Sequence, residues 1–155
     1  MGYRDSRWTG KFYWDQIGRI QTLLGRYVKE ADDKFDTNKY LLLCEQLGEE
    51  PDPAKMPLTS SDFPDEVQAA FFMFSLLPDY YEGMSGTYMG KHWNGIEYFF
   101  SLYEVQDPRT VLYLMKLYEG EVVSHRVKQA ENKRKTEERR SKAGGGGNYT
   151  HNVKG

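Results

Sequence analysis

Apolar side chains recur along this chain at helical spacing, and no segment shows a convincing alternation of strand type. In "FYWDQIGRIQTLLGRYVKEADDKF" the residues Tyr13, Ile17, Ile20, Leu24 and Val28 fall on one helical stripe. Gly18 and Gly25 lie inside that helix, each costing about 1 kcal/mol relative to Ala. Their presence points to close packing against a neighbour. A second helix is predicted from a cap at Asp36 or Thr37, through Tyr40, Leu43, Cys44 and Leu47, to a stop at Gly48. Pro51 and Pro53 lie just beyond that stop.

Residues 51–65 carry four prolines, yet Met56, Leu58 and Phe63 punctuate them, so the segment reads as an ordered connector. Pro64 suits the first turn of a third helix, and Asp65 and Glu66 suit its N-terminal dipole. That helix, "PDEVQAAFFMFSLLPD", is apolar nearly all round. Val67, Ala70, Phe71 and Phe74 form one stripe, while Phe72, Met73, Leu76 and Leu77 cover the remainder. Such a helix belongs at the centre of its domain or at an interface. After "EGMSGTYMGKHW", the residues Ile96, Phe99, Phe100 and Tyr103 mark a fourth helix. Asp107 and Pro108 open a fifth, whose apolar face (Val111, Leu114, Met115, Tyr118, Val122) ends near Val127. Beyond it the residues are charged or small but good helix formers, so the helix continues as a solvated rod to about Ala143. Gly144–Gly147 end it. The fold class expected is all-α: a compact bundle of about five helices with an extended charged C-terminal helix and a flexible glycine-hinged tail.

Charge divides the chain the same way. Residues 1–125 hold twelve Lys/Arg against twenty Asp/Glu, net −8, while residue 126 onward holds nine against three, net +6. This predicts an acidic helical domain over 1–125, a charged helical arm over 126–143, and a hinge and tail over 144–155. No apolar run reaches the ~18–20 residues of a membrane span. The first residues lack an apolar signal core, and Gly2 has little around it to favour myristoylation. A single cysteine, Cys44, forms no internal disulfide and reads as a buried thiol. Cytoplasmic synthesis is the default.

Candidate chemistry is sparse. Gly83, Gly86, Gly90 and the Gly90-Lys91 pair suggest a phosphate cradle, but Ser85 stands where the Walker pattern needs its first glycine and His92 where it needs a hydroxyl. The glycines read instead as a helix stop at Gly83 and a tight inter-helical bend at Gly86 and Gly90, setting the apolar helix against the aromatic one. His92, His125 and His151 are scattered, nothing selects a carboxylate pair, and no catalytic residue, metal site or cofactor is expected. The run Lys133, Arg134, Lys135, Arg139 and Arg140 could contact nucleic-acid phosphates. Interspersed Glu131, Glu137 and Glu138, and the acidic body, argue for a solvated helix that docks on a protein instead.

The stretch "EVQAAFFMFSLLPDYYEGMSGTYMGKHWNGIEYFFSLYEV" resembles the tail assembly chaperones of long-tailed bacteriophages. In one such group an amphipathic helix leads into a short G-M-x-G-x-x-G-type loop and then an aromatic helix. Here the matching elements are Val67–Leu77, Gly83-Met84-Ser85-Gly86, Gly90, and Trp93–Tyr103. Three residues separate Gly86 from Gly90 where about two are expected, and Lys91-His92 replaces an apolar-acidic pair. The resemblance covers about 40 of the 155 residues and implies no catalysis. It implies a factor in the host cytoplasm that binds the helical tape-measure protein, shields its apolar stripe and recruits tail-tube subunits. Phe71, Phe72, Phe74 and Leu77 are the expected apolar contact surface, and the basic arm the recruiting element. The alternatives are a structural component of the virion (neck, tail-completion or baseplate adaptor) and a nucleic-acid-binding accessory protein.

Overall fold

The structure, a computed structural model, describes residues 14–144. Tyr13, Gly145–Gly147, His151 and the predicted tail lie outside them. The chain is mostly α-helical. A short 3-10 turn, Trp14–Gln16, leads into α1 (Ile17–Asp32), followed by α2 (Thr37–Leu47), a 3-10 turn at Ser60–Asp62, and α3 (Asp65–Leu76). Strands β1 (Asp79–Tyr81) and β2 (Tyr88–Lys91) precede the short α4 (Ile96–Leu102) and the 37-residue α5 (Pro108–Gly144).

Several ends are set by the predicted residues. Asp36 caps α2 by accepting from the Lys39 amide at 2.9 Å. Gly48 closes α2 in the left-handed conformation, φ 68°. Asp107 caps α5, accepting from the Thr110 amide at 3.2 Å, and Pro108 takes the first helical position. Two other ends use residues no pattern would choose. Lys34 (φ 50°) and Glu104 (φ 48°) adopt the left-handed conformation after α1 and α4. Each is followed by a six-to-one bond, Phe35 N–H to Glu30 C=O (3.3 Å) and Val105 N–H to Phe100 C=O (3.0 Å).

The core lies where α3 and α1 both pack on α5. Ile20 and Leu24 from α1 meet Val67, Ala70, Met73 and Phe74 from α3 and Val111, Leu114 and Met115 from α5. Tyr27, Phe63, Phe71, Phe74 and Tyr118 fill one flank with rings 4.8–5.4 Å apart. The connector is ordered by its own apolar residues and by α1. Phe63 is buried, Arg26 donates to the carbonyls of Ala54 and Met56, and Glu30 accepts from the Leu58 amide at 2.7 Å. Of the two α1 glycines, Gly25 does lie against a neighbour: a Cβ there would sit 3.1 Å from the Glu121 carboxylate. Gly18 faces open space.

The glycine loop is the main correction. It is a β-hairpin, not a bend between helices. Pro78 stops α3 and Gly83 lies in the hairpin turn, so Gly83 is not a helix stop. β1 and β2 pair antiparallel, Asp79 with Lys91, Tyr80 with Gly90 and Tyr81 with Tyr88, with a bulge that skips Met89. The strands are too short to show alternation in sequence. The hairpin packs on α5, and α3 takes α5, not α4, as its principal neighbour. α2 corrects a second expectation. Its Tyr40 and Cys44 are buried, but Leu43 and Leu47, expected on the same stripe, are exposed.

Candidate functional site

Four regions carry the residues picked out by sequence, and the structure joins two of them. The hairpin turn is organised by Glu82, whose carboxylate accepts from the amides of Met84 (2.9 Å) and Ser85 (2.6 Å) and from the Ser85 hydroxyl (2.6 Å). Those bonds, the hydroxyl's foremost, hold the Glu82 carboxyl below its ordinary range. Gly86 supplies the positive φ of the turn, 66°.

Glu119 of α5 buckles the hairpin to the helix. Its Oε2 accepts from the Lys91 amide at 2.9 Å and the Trp93 indole at 2.8 Å, and its Oε1 pairs with Lys116 at 3.3 Å. Lys116 in turn lies 3.8 Å over the Trp93 ring. Gly90, φ 105°, is where this carboxylate passes the strand: a Cβ there would lie 2.6 Å from Oε2. The Lys91 ammonium is engaged by the Leu77 carbonyl (3.0 Å) and Asp79 (2.9 Å), and lies 4.8 Å over the Phe74 ring. It is tied into the fold rather than pointed at a ligand. The hydrogen bond from Lys91 holds the Asp79 carboxyl below its ordinary range.

The turn and the base of the arm share a groove of about 700 Å³ lined by Tyr81, Gly86, Tyr88, Arg126, Gln129 and Lys133, among others. This places Gly86 of the loop and Lys133 of the arm in one site. The Arg126 guanidinium stacks 3.9 Å from the Tyr88 ring and donates to the Tyr81 hydroxyl at 3.2 Å. From α1, Asp32 accepts from Gln129 and meets His125 at 3.2 Å. Burial pushes the Tyr88 and Tyr118 hydroxyls up to about 12. Past this base the arm stands in solvent. Every described residue from 128 on is exposed, including Arg134, Lys135, Arg139 and Arg140. Arg134 pairs with Glu138 at 3.6 Å, one turn away.

The four residues expected to form one apolar contact surface are divided. Phe74 and Leu77 are buried in the core, and Phe71 is half-buried among Tyr27, Phe63 and Tyr118. Only Phe72 is exposed, at 48%, edge-on to Tyr103 at 5.0 Å. Phe74 and Leu77 point into the α3–α5 seam, so the expected surface does not exist as a unit.

Exposed apolar area lies elsewhere, on residues the sequence did not assign to a contact surface. On α2, Leu42, Leu43 and Leu47 are 55%, 45% and 63% exposed. On α4, Tyr98 and Leu102 are also exposed. A signal was present in the run Leu41-Leu42-Leu43. Three consecutive leucines on a helix span about 200° of arc and cannot all be buried by one neighbour. Cys44 is buried, His92 stacks near Tyr80 at 4.6 Å, and among the described residues no group of three or more His, Cys, Asp and Glu could hold a metal ion. Among the same residues no helix is long and apolar enough to cross a membrane. Comparison with family models, curated proteins and solved structures finds no match to this chain.

Proposed function

We propose that this chain is a non-enzymatic protein-binding module of assembly, of the kind the tail assembly chaperones of long-tailed phages represent. The observation that carries the reading is the exposed apolar surface of α2 and α4, with Phe72 of α3, in a domain that already has a well-filled core. Apolar area of that kind on separate helices is what partner contacts use. The sequence resemblance supplies the particular partner, a long helical protein such as the tape-measure chain. The basic arm stands clear of the body to engage a second component such as tail-tube subunits.

Affinity purification of the tagged chain from cells assembling tails tests this. A long helical protein should co-purify, and the chain should be missing from finished particles. Recovery of no protein partner would sink the reading.

The exposed arm favours a second reading, a structural component of the virion whose arm lies along neighbouring subunits. Finding the chain in finished particles at fixed copy number would select that reading over a chaperone.

A further inference from the structure

Among the described residues, one element lacks the packing its composition calls for. α2 makes only sparse contact with the other elements. It is held at its ends and along one narrow strip. Phe35 meets Tyr40 edge-on at 6.3 Å, the Tyr40 hydroxyl accepts from the Asp52 amide at 2.9 Å, and Cys44 is buried beside Tyr40 on that strip. Leu43 and Leu47 flank that strip one turn apart, and Leu42, on the far side of the helix from it, extends the exposed apolar arc. Around them the chain is acidic: residues 32–55 hold seven carboxylates against three lysines, net −4. By contrast, the groove beside the hairpin has its Arg126 and Gln129 already engaged with other side chains.

We propose that the Leu42–Leu43–Leu47 face of α2 is a docking surface for an amphipathic helix whose apolar stripe is flanked by Lys and Arg. The stripe buries the leucines, and the flanking cations meet Glu45, Glu49, Glu50 and Asp52. Two occupants closer to hand fit worse. The chain's own arm has the right charge, but between 128 and 144 its only apolar side chains are Ala130 and Ala143, which cannot cover three leucines. A second copy of α2 has leucines but brings the same acidic residues, and like charges across an interface oppose it. The inference rests on the protein-binding reading and names the chemistry of the partner at this site.

The probe is a labelled Leu/Lys amphipathic peptide of about 18 residues, roughly five helical turns. A Leu/Glu peptide of the same pattern is the control. The Leu/Lys peptide should bind the full chain one to one and the Leu/Glu peptide should not. Leu42→Gln, at an exposed position, should weaken binding by about tenfold, and Met84→Gln, at an exposed position in the hairpin turn, should leave it unchanged. A photoreactive form of the Leu/Lys peptide on the unaltered chain should cross-link within 37–52, a readout independent of how any variant folds. Cross-links elsewhere, or a Leu42→Gln affinity equal to that of the unaltered chain, would overturn the proposal, the latter reducing the binding to general attraction of a cation to an acidic protein. Sedimentation showing that the chain dimerises through these leucines would also overturn it, assigning the face to a second copy. A partner recovered from cells whose binding ignores Leu42→Gln would refute this site and leave the protein-binding reading intact.

Discussion

Gly90 shows how much one hydrogen atom can matter at a contact. Its φ of 105° and the carboxylate 2.6 Å from where a Cβ would stand both exclude other residues. Gly90→Ala should destabilise the protein by at least about 2 kcal/mol, read from its urea midpoint. The reverse holds where an ordinary residue occupies a glycine-type position. Lys34→Gly and Glu104→Gly each relieve a left-handed residue at a helix end and should each stabilise by about 0.5–1 kcal/mol after the added freedom of the unfolded chain is subtracted. The phenylalanines of α3 divide in the same measurement. Phe74→Ala should cost about 3–5 kcal/mol, whereas Phe72→Ala should change stability by no more than about 0.5 kcal/mol. Gly48, Asp36 and Asp107 were legible as caps because their residue types favour those conformations. Lys34 and Glu104 were not, because nothing in lysine or glutamate marks a left-handed turn.

At the scale of elements, the hairpin depends on charges brought from outside it. Glu119→Ala leaves the Lys91 amide and the Trp93 indole without their acceptor and should cost about 2–4 kcal/mol, with a change in Trp fluorescence as the hairpin loosens. The depressed Asp79 carboxyl contributes stability at pH values above the ordinary carboxylate range, and that contribution is lost as pH falls through and below about 4. At the other extreme, Tyr88 and Tyr118 titrate near 12 rather than 10.0, so unfolding releases their protons more readily. The tyrosines' contribution should therefore be constant below pH 10 and be lost between 10 and 12, a loss that thermal melts followed by circular dichroism would show. Helices α1 and α5 were legible from their periodic apolar stripes, α5 also from its Asp107 cap, and α3 from its apolar run and the Pro64-Asp65-Glu66 start. The hairpin was not, because three- and four-residue strands carry no period and its glycines suit several kinds of turn. The stripe expected on α2 was read correctly at Tyr40 and Cys44 and failed at Leu43 and Leu47, since periodicity marks a face without saying whether anything packs on it.

Across the whole molecule, a folded body ends where α5 leaves the hairpin and Asp32. Truncation after Lys133 should keep the thermal midpoint within about 2 °C of the full chain, with a proportionate loss of helical signal, because no described residue beyond it packs on the body. A larger drop would mean that the arm folds back on the body in solution. The sequence by itself determined the helical class, the caps at Asp36, Gly48 and Asp107, the long final helix and the opposed charges of body and arm. These follow from local periodicity, residue conformational preference and composition, which need no knowledge of what lies across space. The tertiary structure alone decided that Phe74 and Leu77 belong to the core, that Glu119 holds Gly90, Lys91 and Trp93, that Gly86 and Lys133 share a groove, and that the leucines of α2 face outward. Each of those depends on which element meets which across tens of residues, and an amphipathic stripe carries no record of the neighbour that covers it.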